Sequence, residues 1–219
     1  MNETTEFDGA QSAHGAHVHD RKRGRVGIPG ARCSGSREPQ TPVYRQESRR
    51  ERADPALELD DGSVLAETVV ICEYLEELHP SPALVGTTPQ ERAETRMWTR
   101  RVEQKITDNM YNGFRFSEGL ERFKDRMRCL PEAADGLKAV AQDGLAWLDA
   151  LMDGKEYVCG DRLTIADLVL YCCMDFAAGV GQSLDPSLPN VSAWFARMDA
   201  RPSAKTSLHP AAEKAGRKG

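Results

Sequence analysis

The sequence predicts an α+β, mainly α chain: a short β-β-α unit followed by an all-α helical bundle. Three observations predict it. An alternating apolar pattern around an Asp-Asp-Gly turn begins at Pro55. A segment of helical period follows at once. From Thr88 onward the apolar residues recur almost entirely at helical spacing.

PALELDDGSVLAE, starting at Pro55, carries the hairpin. Leu57 and Leu59 alternate with polar neighbours, Asp60-Asp61-Gly62 supplies the turn, and Val64-Leu65 returns. ETVVICEYLEELHP then predicts a helix with Val69, Val70, Cys72, Tyr74, Leu75 and Leu78 on its apolar side, ended by His79-Pro80. A hairpin and one helix are marginal alone in water, so this unit needs partners. Thr88-Pro89-Gln90-Glu91 is a capping box with proline at the first helical position. Ala93, Met97, Val102, Ile106, Met110 and Phe114 extend that helix to about residue 117. A second long helix, at about 132–152, places Leu137, Val140, Ala141, Leu145, Leu148 and Leu151 on one face. A third runs from Thr164 to about 180, and a fourth follows Pro189 and ends near Arg201-Pro202. From Ser207 the tail is small and polar, and it is expected to be mobile.

The totals exclude several classes. With 219 residues, 40% of them hydrophobic, the chain is long enough to bury a core. A net charge of -5 argues against a general nucleic-acid partner. No apolar run reaches about 18 residues, so no membrane span is expected. MNETTEFDGA lacks the basic start and apolar stretch of a signal peptide, which predicts a cytoplasmic protein. The six cysteines form no CxxC pair and are expected to be free thiols.

The most specific local signal is GDRLTIADLVLY, residues 160–171. The Thr164 hydroxyl is placed to accept from the Asp167 amide, and the Asp167 carboxylate to reach back to the Thr164 amide. Leu163 is placed to pack on Leu168 as a hydrophobic staple. The helix that follows is apolar nearly all round, so it belongs at the centre of a bundle. With Gly160 ahead of it, this stretch resembles the capping box and staple in the C-terminal domain of glutathione S-transferases. Pro189, Trp194 and Arg201-Pro202 resemble that family's closing helix, and PALELDDGSVLAETVVICEYLEELHP resembles the second half of its thioredoxin-like domain.

The resemblance covers about residues 55–203 and implies a thioredoxin-like unit, its recognisable β-β-α half at 55–80, before an all-α domain at 88–203, with a tail at 204–219. It implies glutathione as a substrate, a small electrophile as the second one, no metal, and a possible homodimer. It places a cis peptide at Pro55, with the Asp54-Pro55 backbone beside the cysteinyl part of glutathione. Glu67-Thr68 matches the family pair that holds the γ-glutamyl end: a carboxylate meets the ammonium, while a hydroxyl and helix amides meet the carboxylate. The family also needs a hydroxyl or thiol near its first helix to stabilise the glutathione thiolate. Ser12 is the candidate left for that role.

Residues 1–54 do not show the strands and helix that should come first. Thr5-Glu6-Phe7-Asp8-Gly9-Ala10 resembles the family's first strand and turn, after which the pattern stops until Pro55. The composition predicts an aberrant or disordered segment. Shifting the codons of this stretch by one base permits RAHTVRTFMTEKGVEL, an amphipathic helix, and then PYIAKNPAG, in the family's order. Residues from about 11 to 54 are therefore read as translated out of frame, by a natural double frameshift or a sequencing error. On that reading His14, His17 and His19 are no metal site, and the basic run from Arg21 to Arg25 is no nucleic-acid arm. The hairpin would then lack strand partners and expose an edge. The alternative to an enzyme is a non-catalytic helical binding module built on 88–203.

Overall fold

The computed structural model describes residues 32–33, 56–61 and 63–207. The expectations for the rest of residues 1–55, including disorder, the cis bond at Pro55 and the histidine run, lie outside the described residues, as does the tail beyond Ser207.

Strands β1 (Arg32–Cys33), β2 (Ala56–Glu58) and β3 (Val64–Ala66) form an antiparallel sheet in the order β1-β2-β3. The hairpin register pairs Leu57 with Leu65. Asp61 stabilises the turn by accepting from the Ser63 amide at 2.8 Å and the Ser63 hydroxyl at 2.6 Å. The expected open edge on β2 is not found: Arg32 pairs with Glu58 and Cys33 with Leu57, so backbone donors and acceptors are matched there.

Helix α1 (Thr68–Leu78) lies between the sheet and the bundle. Ile71 and Leu75 pack on Leu57, while Cys72 joins the bundle core. Its buried stripe is therefore Thr68, Ile71, Cys72 and Leu75. Val70 lies opposite this stripe and Leu78 at the helix end; they are 49% and 48% exposed, which corrects their expected place on the apolar side. The connection to the bundle is fastened twice. Glu76 accepts from the amides of Val85 (2.7 Å) and Gly86 (3.3 Å), and the Ile165 amide donates to the Leu84 carbonyl at 3.0 Å.

The long helix is one rod with a wide turn inside it: α2 (Pro89–Val102), a π-turn at Glu103–Thr107, then α3 (Asp108–Phe116). The Thr88 capping box forms as expected, with the Glu91 amide donating to the Thr88 hydroxyl at 3.1 Å and the Thr88 amide to the Glu91 carboxylate at 3.2 Å. A π-turn displaces carbonyls from their regular partners. Here the Asn109 side-chain amide donates to the Gln104 and Lys105 carbonyls at 2.9 and 3.1 Å. The turn brings the Lys105 carbonyl against Gly144, where an added Cβ would stand only 2.5 Å from that oxygen. The glycine is thus the packing point between the rod and α5 (Ala134–Leu151).

A four-residue helix, α4 (Leu120–Phe123), and a 3₁₀ turn (Pro131–Ala133) link the rod to α5; α4 was not expected. On α5, Ala141, Leu145 and Leu148 are fully buried, but Val140 and Leu151 are 48% and 40% exposed. They lie just beyond the Gly144 edge of the buried stripe of Ala141, Leu145 and Leu148, so they fall outside it, and Met97 on α2 is likewise 42% exposed. Then come α6 (Ile165–Ala178), α7 (Pro189–Asp199) and a short α8 (Pro202–Thr206). Arg201-Pro202 therefore starts a new helix rather than only closing the last.

Helix α6 is the centre of the bundle, with eleven of its residues buried. Its capping box is present, and its acid does more than cap. Asp167, 0% exposed, accepts at Oδ2 from the Thr164 amide (2.9 Å) and hydroxyl (3.0 Å). At Oδ1 it accepts from the Val158 amide (2.8 Å) and the Trp194 indole (2.9 Å). Burial pushes this carboxyl above the usual aspartate range, and the four donors oppose that rise.

Candidate active site

The candidate site is the junction of β3 with α1. Ala66 ends the strand, and Glu67 turns the chain at φ 71°, ψ 119°. Among the described residues it is the one non-glycine residue with positive φ, a conformation that costs a side-chain-bearing residue about 1–3 kcal/mol. The turn sends Thr68 inward, 9% exposed, and leaves Glu67 at the surface. No side-chain hydrogen bond caps α1 among the described residues, and its first turn carries no acid. Among these residues the positive end of the helix dipole meets no side-chain acceptor.

The rod runs antiparallel across this junction. Arg96 of α2 holds Glu73 of α1 through two hydrogen bonds, at 2.9 and 3.2 Å. Two turns further, Glu103 has its carboxyl raised above the usual glutamate range. Its own burial is the main cause, followed by the negative charge of Asp108; Arg100 opposes the rise and Glu67 adds to it. Asp108 is raised as well, chiefly by burial, with Arg100 and Arg115 opposing. The junction thus sets the amides of a helix start beside the Glu67 carboxylate, within electrostatic reach of Glu103. Open amides donate to an anion and carboxylates accept from an ammonium, so the arrangement is complementary to an amino-acid zwitterion.

Of the residues singled out from sequence, Glu67 and Thr68 stand at this junction, Glu67 at the surface and Thr68 turned inward. Ser12, Asp54 and Pro55 lie outside the described residues. Glu103 was not singled out from sequence; it stands 36 positions from Glu67, and no local pattern links the two. The buried cysteines are not nucleophiles at neutral pH: desolvation pushes the thiols of Cys72 and Cys172 up to about 12, and Cys173 higher still. Among the described residues, no cluster of three or more His, Cys, Asp or Glu is placed to hold a metal, and no helix is long and apolar enough to cross a membrane.

Comparison with known proteins gives concordant findings. Residues 33–83 match the family model of the glutathione S-transferase N-terminal domain, and residues 121–202 match that of the C-terminal domain. The chain is 31% identical over 156 residues to glutathione S-transferase 2 of Saccharomyces cerevisiae, covering 70% of this chain and 66% of that one. It is 28% identical over 141 residues to FtsZ-localized protein A of Caulobacter vibrioides, covering 64% and 61%. The chain therefore spans about two thirds or less of the length of these two relatives. A glutathione S-transferase domain-containing protein of Marinobacter aquaeolei VT8 superimposes with a TM-score of 0.67 at 32% identity, over 75% of this chain and 80% of that one. The β-β-α unit is thus the N-terminal, thioredoxin-like part and the bundle the all-helical C-terminal part.

Proposed function

Because the chain belongs to the glutathione S-transferase family, we propose that it binds glutathione and transfers its thiolate to a small electrophile. The γ-glutamyl end of glutathione is an amino-acid zwitterion. In this reading its carboxylate sits on the Thr68 hydroxyl and the first amides of α1, and its ammonium faces Glu67, with Glu103 adding negative field. The Asp54-Pro55 backbone pairs with the cysteinyl part, and Ser12 donates to the sulfur. A donor at that sulfur favours the thiolate, which forms the new C–S bond as the leaving group departs with its electron pair.

The observation that carries this reading is the strained Glu67 at the start of an uncapped helix. Calorimetric titration with glutathione tests it. Glu67→Gln and Thr68→Ala should each weaken binding about tenfold or more, the cost of one charge-assisted hydrogen bond. Unchanged affinity in both variants, or no binding by the unaltered chain, overturns it.

A second reading is a non-catalytic helical binding unit, favoured by the similarity to FtsZ-localized protein A. A cooperative melt without glutathione binding would select it. In either case we place a homodimer contact on the outer faces of α1 and α2, where Val70 and Met97 stand 49% and 42% exposed. Sedimentation of Val70→Lys against the unaltered chain tests that contact, with a monomer expected for the variant.

A further inference from the structure

The chain between the rod and α5 projects from the bundle. Phe123 and Cys129 are half-buried, and every other residue from 121 to 132 is exposed. The projection is anchored at its base. The Phe123 ring stands edge-on to Phe114 at 6.1 Å, and the Phe123 carbonyl accepts from the amides of Arg126 (2.8 Å) and Met127 (3.1 Å). A turn held in this way presents its side chains on a fixed backbone, so less ordering entropy is lost when they bind.

What the projection presents is basic and apolar together. Residues 121–130, ERFKDRMRCL, hold four cations against two acids, in a chain whose net charge is -5. Lys124 pairs with Glu121 at 2.5 Å, which leaves Asp125 as the one acid of the segment against Arg122, Arg126 and Arg128. Among the described residues these three arginines are in no ion pair. Between and beside them stand two large apolar side chains, Met127 at 37% and Leu130 at 41% exposed. The Arg126 guanidinium is held 5.3 Å from the Phe123 ring, next to the methionine.

Shape and charge together select the occupant. Consecutive exposed residues on a projection form a convex surface. A peptide is held in a groove or along a sheet edge. A bilayer receives a convex surface from outside. Its phosphodiester headgroups accept the guanidinium fork, and the boundary beneath them takes apolar side chains. A local basic patch is drawn to an anionic surface even when the chain as a whole is acidic.

We propose that this projection docks the chain on an anionic lipid bilayer. Arg122, Arg126 and Arg128 meet headgroup phosphates, and Met127 and Leu130 enter the boundary between headgroups and acyl chains. The docking is peripheral and reversible, because a few charges and two apolar side chains fall far short of a spanning helix. It does not depend on the transferase reading.

The full chain is sedimented at low salt with vesicles of phosphatidylglycerol and, separately, of phosphatidylcholine. Binding is expected on the first and not on the second. Arg126→Gln and Arg128→Gln should each lower the partition coefficient about fivefold, the effect of one cation beside an anionic surface. The double variant Met127→Ser with Leu130→Ser keeps every charge and should lower it about tenfold. Lys205→Gln removes an exposed cation of α8, outside the projection, and should leave it within about twofold. All four substituted residues of the projection are exposed, so their variants are expected to keep the fold, which a thermal melt checks. Equal binding to both lipids overturns the proposal, as does a loss for Lys205→Gln as large as for the arginine variants. Full binding by the double serine variant overturns it too, since the attraction would then be one of charge alone. Binding to neither lipid is the result expected if an acidic protein is the true partner, and it also overturns the proposal.

Discussion

Replacing Asp167 by alanine tests the proposed centre of the bundle. The carboxylate accepts four hydrogen bonds and is 0% exposed, so no water replaces it. In Asp167→Ala the Val158 amide and the Trp194 indole lose their acceptor; both residues are 0% exposed. Each buried unpaired donor costs about 1–3 kcal/mol. Losing the acid of the capping box costs about 1 kcal/mol more. Removing a charge that burial disfavours returns part of this, as the raised carboxyl indicates. The expected loss is about 4 kcal/mol, a large share of the 5–15 kcal/mol by which domains of this kind are stable. Urea unfolding followed by far-UV circular dichroism measures it. Trp194→Phe supplies the control, because it removes one donor and leaves the acid in place. The two changes should not add: in the Asp167→Ala background the indole is already unpaired, so its removal costs about 1–2 kcal/mol less than in the unaltered chain. Strict additivity, or a loss below about 1 kcal/mol for Asp167→Ala, would refute the four-donor account.

Other outcomes follow from the same structure. Glu103 is raised in the folded state, so the folded chain holds that proton more tightly than the unfolded chain, and stability falls as pH rises from the ordinary value of 4.5 through the raised one. Glu103→Gln should therefore raise Tm at pH 7 and lose that advantage below about pH 4; a gain that persists in acid contradicts the assignment. Among the five cysteines whose side chains are described, Cys129 is the accessible one, while Cys72, Cys159, Cys172 and Cys173 are buried. Native alkylation at neutral pH, read by mass spectrometry, should mark Cys129 and spare those four, with all labelled once urea is added. Intact mass and a peptide map of the native protein decide the reading frame between Ala10 and Pro55: peptides such as GIPGAR establish the chain as written, and peptides of the shifted frame make that segment an ordinary first half of the domain.

Local devices were legible in the sequence because their partners stand within four residues. The Thr88–Glu91 box, the Thr164–Asp167 box and the Asp61 turn all form where they were read. The Thr164 box differs in one detail: the threonine hydroxyl also donates to Asp167. The apolar faces were less legible. Val70, Leu78, Met97, Val140 and Leu151 fit a helical period, yet all are exposed. Period marks one stripe of a helix, but the width of that stripe depends on how many neighbours pack against it. The short helices α4 and α8 were invisible because helices of four and five residues have no period to show.

The sequence by itself determined where the long helices start and stop, which hairpin precedes them, and the Glu67-Thr68 junction. These depend on caps, turns and backbone preferences that act between near neighbours. Only the tertiary structure decided what stands opposite that junction. Glu67 adds to the rise of the Glu103 carboxyl because the rod runs antiparallel to α1, and the rings of Tyr111, Phe114, Phe123 and Phe176 meet because α3, α4 and α6 converge. It also decided that Asp167, a helix cap by its spacing, bonds Trp194, 27 residues away. Burial and electrostatic fields are sums over neighbours distant in the chain, and no local spacing carries that sum.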